Sequence, residues 1–285
     1  MSNSNNSNKE VLDVMKKSKT NFFYSSVFLN KEKREGLRTV YAYCRYTDDI
    51  ADNENMSVEQ KTIEIEKWKN RLISSLNNGA NDDFFTILRK QIDFFGIPHK
   101  PFFDLIEGME MDIYKNRYET YDELKKYCYC VASAVGLMSI EIFGYKNENT
   151  KKYAEYLGLA LQLTNILRDV KKDALNNRIY IPLEDFKKFG YTETEIMNSV
   201  FNDNFRRLME YEYNRVKEVF EKAYTFLSDE DKSNMIAAEI MGKIYYLLLE
   251  KIKDSGFNVY GKELRISKIR KIVIALSIFL KHKLS

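Results

Sequence analysis

The chain has 285 residues, a length that suits one large domain with a buried core. Its 45 Lys and Arg residues nearly balance 42 Asp and Glu residues, and this net charge of +3, spread along the chain, argues against a nucleic-acid-binding protein. Three cysteines without an even framework predict a reducing, cytoplasmic environment, and their spacing disfavours a structural zinc site.

Few residues in this chain interrupt helices. With 3 Pro and 11 Gly, long helix-compatible runs dominate and alternating strand patterns are scarce, which predicts an all-α fold. Residues 1–9 are polar and low in complexity, so we predict a disordered tail there. No long linker divides residues 10–285, which are predicted to form one domain. The predicted helices cover residues 10–18, 31–53, 58–77, 82–95, 99–116, 120–143, 148–175, 192–199, 202–226, 229–254 and 263–283.

The predicted helix at 31–53 carries two carboxylates on its apolar side. At about 100° per residue, Asp48 and Asp52 fall on the same stripe as the apolar residues around Tyr41, and Arg45 borders the pair. An i, i+4 pair of aspartates is ordinarily a solvated helix face. Two like charges on a core-facing stripe are costly unless a cation joins them, so the pattern favours a cation site.

The predicted helix at 148–175 is apolar nearly all round, which is typical of a buried helix. Within it, Gln162, Asn165, Asp169 and Asp173 share one arc about 80° wide. A polar network with a neighbouring helix would explain this row, and a metal site is the alternative. Facing the aspartates of the earlier helix, the row could hold Mg²⁺ on a diphosphate, because Mg²⁺ prefers oxygen ligands. The sequence has no Gly-rich phosphate loop, which makes a nucleotide a poor alternative.

These residues lie in stretches that resemble one known family. YAYCRYTDDIAD (41–52) resembles the first aspartate-rich motif of squalene and phytoene synthases, and LALQLTNILRDVKKDALNNRIYIP (159–182) resembles the second. EGMEMDIYKNRYETYDELKKYCYCVASAVG (107–136) and SKTNFFYSSVFL (18–29) are also similar to this family. The resemblance covers the chain after residue 10. The stretch VASAVGLMSIEIFGY is most similar to the bacterial presqualene diphosphate synthase branch.

The resemblance implies a single-domain helical bundle of the trans-isoprenyl diphosphate synthase type around a central cavity. It also implies Mg²⁺ as the cofactor, in a cluster of about three ions. Carried over to this sequence, the ligands would be Asp48 and Asp52 on one side and Asn165, Asp169 and Asp173 on the other.

The same resemblance implies residues that contact the substrates. Asp112 and Tyr129 match residues that line the catalytic centre. The segment from Ser18 departs in part, at Thr20 and Asn21, from the small hydroxyl residues common in the family. The implied substrate-binding residues are Ser18, Lys19, Thr20, Asn21, Phe22, Tyr41, Arg45, Gln162, Arg168 and Tyr245. A basic cluster at Arg265, Lys268 and Arg270 matches, more loosely, a segment that closes over a diphosphate.

The implied function is head-to-head condensation of two farnesyl diphosphates to presqualene diphosphate, a step that feeds squalene and hopanoid formation. Phytoene synthase, which uses geranylgeranyl diphosphate, and dehydrosqualene synthase are the nearest alternatives. An inactive family member that acts as an assembly protein is an alternative of another class. NADPH is not expected, because we favour a reaction without reduction.

The apolar run from Ile272 to Leu280 leaves two alternatives open. A C-terminal helix packed on the body of the protein is favoured. Transient contact of a cytoplasmic protein with the inner face of a membrane is the other, because Lys271, Lys281 and Lys283 flank the run. No apolar run approaches the ~20 residues that span a bilayer. The sequence leaves the oligomeric state open.

Overall fold

A computed structural model describes residues 25–77, 79 and 83–284. Over those residues the regular structure is helical, with one isolated parallel bridge between Arg117 and Ile179. The all-α prediction is therefore confirmed. The predicted tail 1–9, the predicted helix 10–18 and the predicted substrate residues from Ser18 to Phe22 lie outside the described residues.

The described helices, in chain order, are α1 (Lys31–Ala51), α2 (Val58–Leu76), α3 (Asp83–Phe95), α4 (Lys100–Tyr114), α5 (Tyr121–Cys128), α6 (Ala134–Phe143), α7 (Asn149–Leu175), α8 (Leu183–Phe189), α9 (Glu193–Met197), α10 (Asp203–Thr225), α11 (Ile236–Asp254) and α12 (Lys268–Leu284). A π-helical turn, Tyr129–Ser133, joins α5 to α6 without a break. Such turns occur mostly as single insertions in α-helices, frequently at functional sites.

Local sequence explains where the helices begin and end. The side chain of Asn30 accepts a hydrogen bond from the backbone N–H of Lys33 at 2.9 Å and caps α1. Ser57 and Gln60 form a capping box at the start of α2. Gly190 follows α8 with a φ of 64°, a left-handed conformation that glycine adopts without steric cost.

The structure differs from the predicted helices at the start of α11 and at α8. The predicted helix 229–254 begins only at Ile236, because the preceding residues turn around the buried carboxylate of Asp231. That carboxylate accepts hydrogen bonds from the backbone N–H groups of Lys146 (2.8 Å) and Asn147 (3.0 Å), just before α7. Helix α8 was not predicted, because its 7 residues are too few to give a clear helical period.

Helix α7 is the centre of the molecule. It has 27 residues and packs against α6, α10, α11 and the π-helical turn. Most buried apolar side chains form one core cluster around it, and a smaller cluster lies between α11 and α12. Helix α1 packs against α4 and α6, so α1 and α7 flank the same part of the bundle.

Two glycines allow close backbone contact beside α7. A Cβ atom at Gly158 would lie 2.7 Å from the Cα of Ser133 and 2.8 Å from the carbonyl oxygen of Ala132. A Cβ at Gly136 would lie 2.8 Å from the carbonyl oxygen of Ala154. Backbone atoms cannot move aside as a flexible side chain does, so both positions require glycine at this spacing.

We expect Gly158→Ala to lower the free energy of unfolding by roughly 1–3 kcal/mol, because the added methyl group forces α7 away from the π-helical turn. Urea unfolding followed by circular dichroism measures this change. Gly261→Ala is the matched control, since a Cβ there meets no described atom within 4 Å. Equal stability of Gly158→Ala and the wild type would contradict the close approach.

Candidate active site

A cavity of about 360 Å³ lies between α1, α6, α7, α11 and the π-helical turn. Its polar lining includes Tyr41, Asp48, Gln162, Asn165 and Tyr245, which come from three of these helices. Small and apolar side chains form most of the remaining wall, and they include Val131, Ala132, Val135, Leu157, Gly158, Leu161, Ala237 and Met241. The cavity thus brings residues of both aspartate-rich motifs together.

The cavity is polar at one end and aromatic at the other. Tyr153 and Phe143 line it, and Tyr153 precedes Asn165 on α7 by 12 residues, which is about 18 Å of helix. Lys33 donates a hydrogen bond to the carbonyl oxygen of Phe143 at 2.6 Å and lies 15 residues before Asp48, about 22 Å along α1. The carboxylates therefore lie at the C-terminal ends of both helices, far from the aromatic end.

Asp48 is the carboxylate of α1 that reaches the cavity. Burial and the neighbouring charge of Asp52 raise the pKa of Asp48 to about 6, although the Arg45 guanidinium counters part of this effect. Arg45 pairs with Asp48 at 2.8 Å and with the outward Asp49 at 2.6 Å. Arg45 therefore lies beside the aspartates, as the helical projection predicts.

Arg178 connects the two motifs directly. Its guanidinium donates a hydrogen bond to Asp52 at 2.8 Å, and its backbone N–H donates to the carbonyl oxygen of Asp173 at 2.8 Å. Arg178 was not predicted as a site residue, because it lies in the turn after α7 and shares no helical face with the aspartates. The only available signal is a basic residue in the NNRIYIP segment that ends the second motif.

Asp112 of α4 lies between these groups. Its two carboxylate oxygens accept hydrogen bonds from the hydroxyl groups of Tyr127 (2.7 Å) and Tyr180 (2.8 Å). Burial raises its pKa, while Arg178 and the two hydroxyl groups counter that effect. Asp112 also raises the pKa values of Asp48 and Asp173, so its charge acts on both rows.

The α7 row has one oxygen without a partner. Asn165 Oδ1 is buried and accepts no hydrogen bond from the described residues, while its amide nitrogen lies 3.4 Å from Gln162 Oε1. Burial and Asp169 raise the pKa of Asp173 to about 7. Asp169 pairs with Arg168, whose Nε lies 2.7 Å from a carboxylate oxygen. An unpartnered buried oxygen normally costs stability, so a ligand at this point is a physical expectation.

These residues fit the divalent cations that the sequence predicts. Carboxylates with raised pKa values and an orphaned amide oxygen gain when a cation arrives, and the partial negative charges at the C-terminal ends of α1 and α7 add to this field. Across residues 25–77, 79 and 83–284, no three His, Cys, Asp or Glu side chains meet around one point. Mg²⁺ commonly takes one or two carboxylates and fills its shell with water and phosphate oxygens, so this spacing suits it.

Cationic groups surround the α7 row. Lys271 of α12 has a lowered pKa, first because it is buried and then because Arg168 is near. Lys271 was not among the residues expected to contact a diphosphate, because the resemblance in that segment pointed to Arg265, Lys268 and Arg270. Lys271 thus adds a second cation beside Arg168, which itself pairs with Asp169, and a concentration of positive charge attracts anionic ligands.

Tyr129 lies away from these groups. Its ring packs under the ammonium group of Lys100, with 5.5 Å between Nζ and the ring centroid, and Asp104 is a nearby carboxylate. The structure therefore does not bring Tyr129 to the cavity, and its proposed contact with the catalytic centre stays a prediction. Tyr41 and Tyr245 do line the cavity.

Comparison with known proteins agrees with the residue pattern. A family model described as squalene/phytoene synthase matches residues 15–270. The chain belongs to the squalene/phytoene synthase family. Members of this family join two prenyl diphosphates head to head, so the chain is a prenyltransferase.

Its relatives include several plant and cyanobacterial enzymes. A 15-cis-phytoene synthase from Synechocystis sp. is 31% identical over 88% of this chain and 78% of its own length. A 15-cis-phytoene synthase from Synechococcus elongatus is also 31% identical, over 88% of this chain and 85% of its own length. These relatives support the family assignment. Their substrates are not assigned to this chain by the similarity.

Solved structures show the same fold. A dehydrosqualene synthase in complex with a ligand superposes with a TM-score of 0.86 at 25% identity, covering 99% of this chain and 98% of the other. The squalene synthase HpnC from Alicyclobacillus acidocaldarius superposes with a TM-score of 0.81 at 24% identity, covering 90% and 97%.

We expect Asp173→Asn to stabilise the metal-free protein at pH 8 more than at pH 5. The pKa of Asp173 is raised from 3.8 to about 7, so the folded chain holds a proton that the unfolded chain has already lost between these values. The stability this group contributes is complete below about pH 4 and disappears as the pH rises through 7. The expected gain at pH 8 is roughly 1–2 kcal/mol, reduced by partial exposure.

Thermal unfolding in the presence of a metal chelator measures this gain. Asp203→Asn, at an exposed position on α10, is the control and should give the same small change at both pH values. A gain for Asp173→Asn that is larger at pH 5 than at pH 8 would show that the aspartate is not crowded.

Proposed function

We propose that this enzyme condenses two farnesyl diphosphates head to head to presqualene diphosphate, releases pyrophosphate and needs no NADPH. One observation carries the proposal: a single cavity joins Asp48, Gln162 and Asn165 at its polar end to a long wall of small and apolar side chains. A substrate with a diphosphate head and an isoprenoid tail has the same division of polarity.

The polar end would bind the diphosphate groups. Mg²⁺ held by Asp48, Asp52, Asn165, Asp169 and Asp173 would neutralise the charge on the departing pyrophosphate. The other proposed contacts come from side chains that donate hydrogen bonds or carry fixed positive charge, which are Tyr41, Arg45, Gln162, Arg168 and Tyr245. Arginine stays charged at any working pH, so its contribution does not depend on proton transfer.

The apolar wall would protect the reaction. When the C–O bond of the first substrate breaks, pyrophosphate leaves with the bonding electrons and an allylic cation remains. The double bond of the second substrate attacks that cation, a proton is lost to pyrophosphate, and the cyclopropane ring closes. Water would capture the cation as an alcohol, so Leu157, Leu161 and Met241 act by excluding it.

The aromatic end of the cavity favours farnesyl diphosphate over the longer geranylgeranyl diphosphate. Tyr153 is fully buried and Phe143 is 4% exposed, and both line the cavity. Two bulky rings at this end limit the depth open to a tail. Phytoene synthesis from geranylgeranyl diphosphate is the second candidate, because the 31% identical relatives are phytoene synthases. Dehydrosqualene synthesis is a third, from the same farnesyl substrate as presqualene diphosphate.

We further propose that the enzyme works in the cytoplasm. In the part of the chain that the structure describes, Tyr121–Phe143 is long and apolar enough to cross a membrane, contrary to the expectation that no apolar stretch approaches that length. However, 56% of its apolar window is buried inside the fold. That stretch forms α5, the π-helical turn and α6, which pack in the core, so burial in the protein accounts for its composition.

We expect Asp48→Ala and Asp169→Ala to fold normally and to lose activity by about a hundredfold or more. Without metal these carboxylates repel one another, so removing one relieves crowding and should not unfold the chain. Circular dichroism and a product assay with Mg²⁺ measure the two effects. Asp93→Ala is the control, because Asp93 is exposed and pairs with Arg89 on α3. Unfolded variants would favour a structural role for the aspartates, and full turnover would refute their assignment.

Incubation with radiolabelled farnesyl diphosphate and Mg²⁺ is expected to give presqualene diphosphate, in equal yield with and without NADPH. Geranylgeranyl diphosphate should react more slowly, because its tail is one isoprene unit longer. Phosphatase treatment followed by chromatography identifies the products. Preferred turnover of geranylgeranyl diphosphate to phytoene would replace the first candidate by the second, and NADPH-dependent squalene would contradict a reaction without reduction.

A further inference from the structure

Helix α12 attaches to the protein by one face. Ile274, Ala275 and Ile278 are buried in the small apolar cluster with Ile240, Ile244 and Leu248 of α11. The ring of Phe279 stacks on Phe28 with 4.4 Å between centroids. This face packs on the body of the protein, as the favoured interpretation of the C-terminal apolar run predicts.

The opposite face of α12 is also apolar, and it is exposed. Its residues, here called the outward stripe, are Ile269 (77% exposed), Ile272 (47%), Val273 (57%), Leu276 (47%) and Leu280 (52%). At about 100° per residue they fall within an arc about 100° wide, centred opposite the buried face. A contiguous apolar stripe of this kind marks an interaction surface, whereas single exposed apolar residues need no explanation.

Basic residues border the outward stripe. Lys268, Arg270, Lys281 and Lys283 are exposed, and Glu263 is the last acidic residue of the sequence. On the helical projection, Lys268 lies on one side of the stripe and Arg270 and Lys281 lie on the other, while Lys283 falls within its arc at the C-terminal end of the helix. An apolar stripe between two basic edges is the pattern of a helix that lies in the interface of a membrane.

We propose that the outward stripe docks on the surface of an anionic lipid bilayer, with α12 lying in the membrane plane. Charge complementarity selects this partner, since phospholipid headgroups of negative charge would meet the basic edges while the stripe enters the boundary with the acyl chains. The helix has 17 residues and carries charges along its length, so it is too short and too polar to span.

A second copy of the chain fits this surface less well. An interface formed by two outward stripes would bring the basic edges of both helices together. Glu221 and Glu239 lie beside α12 in a groove that Lys281 also lines, and Glu239 already pairs with His282 of the same chain at 2.6 Å. Like charges brought together across an interface oppose association. The stripe is therefore unsuited to self-association and suited to a negatively charged surface.

The docked helix lies one helix away from the candidate active site. Helix α11 presents Ile240 and Ile244 to α12 and presents Ala237 and Met241 to the cavity. Docking itself does not depend on the reaction. Its use does rest on the proposed function, because presqualene diphosphate formed in the cavity carries a long isoprenoid chain and would need only a short path to the bilayer.

The test is vesicle flotation of the full chain without substrate, which keeps it separate from any failure of the proposed reaction. We expect the wild type to float with vesicles of equal parts phosphatidylcholine and phosphatidylglycerol at about 0.15 M salt and to be released at about 1 M salt. Pure phosphatidylcholine vesicles should retain little protein. Val273→Glu with Leu276→Glu should reduce the bound fraction to background, and Lys281→Ser with Lys283→Ser should weaken binding by roughly tenfold.

Ile63→Glu is the matched control, because Ile63 is 54% exposed on α2, outside the outward stripe. It should bind vesicles as the wild type does. Circular dichroism should show all variants folded, since the substituted side chains face solvent. Wild-type protein that stays with the unbound fraction, or stripe variants that float as well as the wild type, would overturn the proposal. Variants that convert a wild-type dimer to a monomer would assign the stripe to a second copy instead and overturn it too.

A second measurement locates the contact without disrupting the stripe. The chain has a single tryptophan, Trp68, which is 7% exposed. Leu276→Trp adds a reporter on the stripe, and its emission should shift to the blue when phosphatidylglycerol vesicles are added. Ile63→Trp should show no such shift. A shift for Ile63→Trp alone would place the membrane on another face and contradict the proposal.

Discussion

Carboxylates crowd together at the C-terminal ends of α1 and α7, and this crowding determines the electrostatics of the candidate active site. Five carboxylates face three guanidinium groups there, and the partial negative charges of two helix ends add to the imbalance. The groups are Asp48, Asp52, Asp112, Asp169 and Asp173 on one side and Arg45, Arg168 and Arg178 on the other. Such a site attracts cations, and its cost to the metal-free fold is held down by protonation and ion pairs.

The packing of the bundle keeps this polar end separate from the apolar wall. Gly158 and Gly136 let α7 lie directly against the π-helical turn and α6, so small side chains line the cavity where helices cross. The polar groups follow toward the C-terminal end of α7, from about one turn beyond Gly158 at Gln162 to about four turns beyond it at Asp173. A substrate with a charged head and an apolar tail would therefore bind with its head toward the C-terminal ends of α1 and α7.

Helical periodicity was enough to predict most of the fold and part of the site. It placed Asp48 on the same face as Tyr41, and Asn165 on the same face as Gln162, and these four residues share the cavity. Tyr129 was singled out by family resemblance alone, and the structure places its ring beside Lys100, outside the lining of the cavity.

Contacts made by residues in turns also could not be predicted from the sequence. Arg178 reaches Asp52 from a turn that no helical projection includes. Asp231, from a distant part of the chain, accepts hydrogen bonds from the backbone N–H groups of Lys146 and Asn147 in the loop before α7. Family resemblance supplied the roles of the substrate-binding residues from Ser18 to Phe22, which lie outside the described residues and stay predictions.

The contacts of Arg178 suggest how a metal-dependent site can exist without its metal. Its guanidinium binds Asp52 while its backbone is fixed to Asp173, so a positive charge already joins the two rows. In the proposed reaction the arriving cations would take over that task, because they too need the oxygens of Asp52. The arginines would then be freed for the diphosphate, whose negative charge replaces that of the carboxylates they release. On substrate binding, metal ions would thus replace the arginines beside the carboxylates. The same carboxylates could be neutralised by arginine in the free enzyme and by metal ions in the complex with diphosphate.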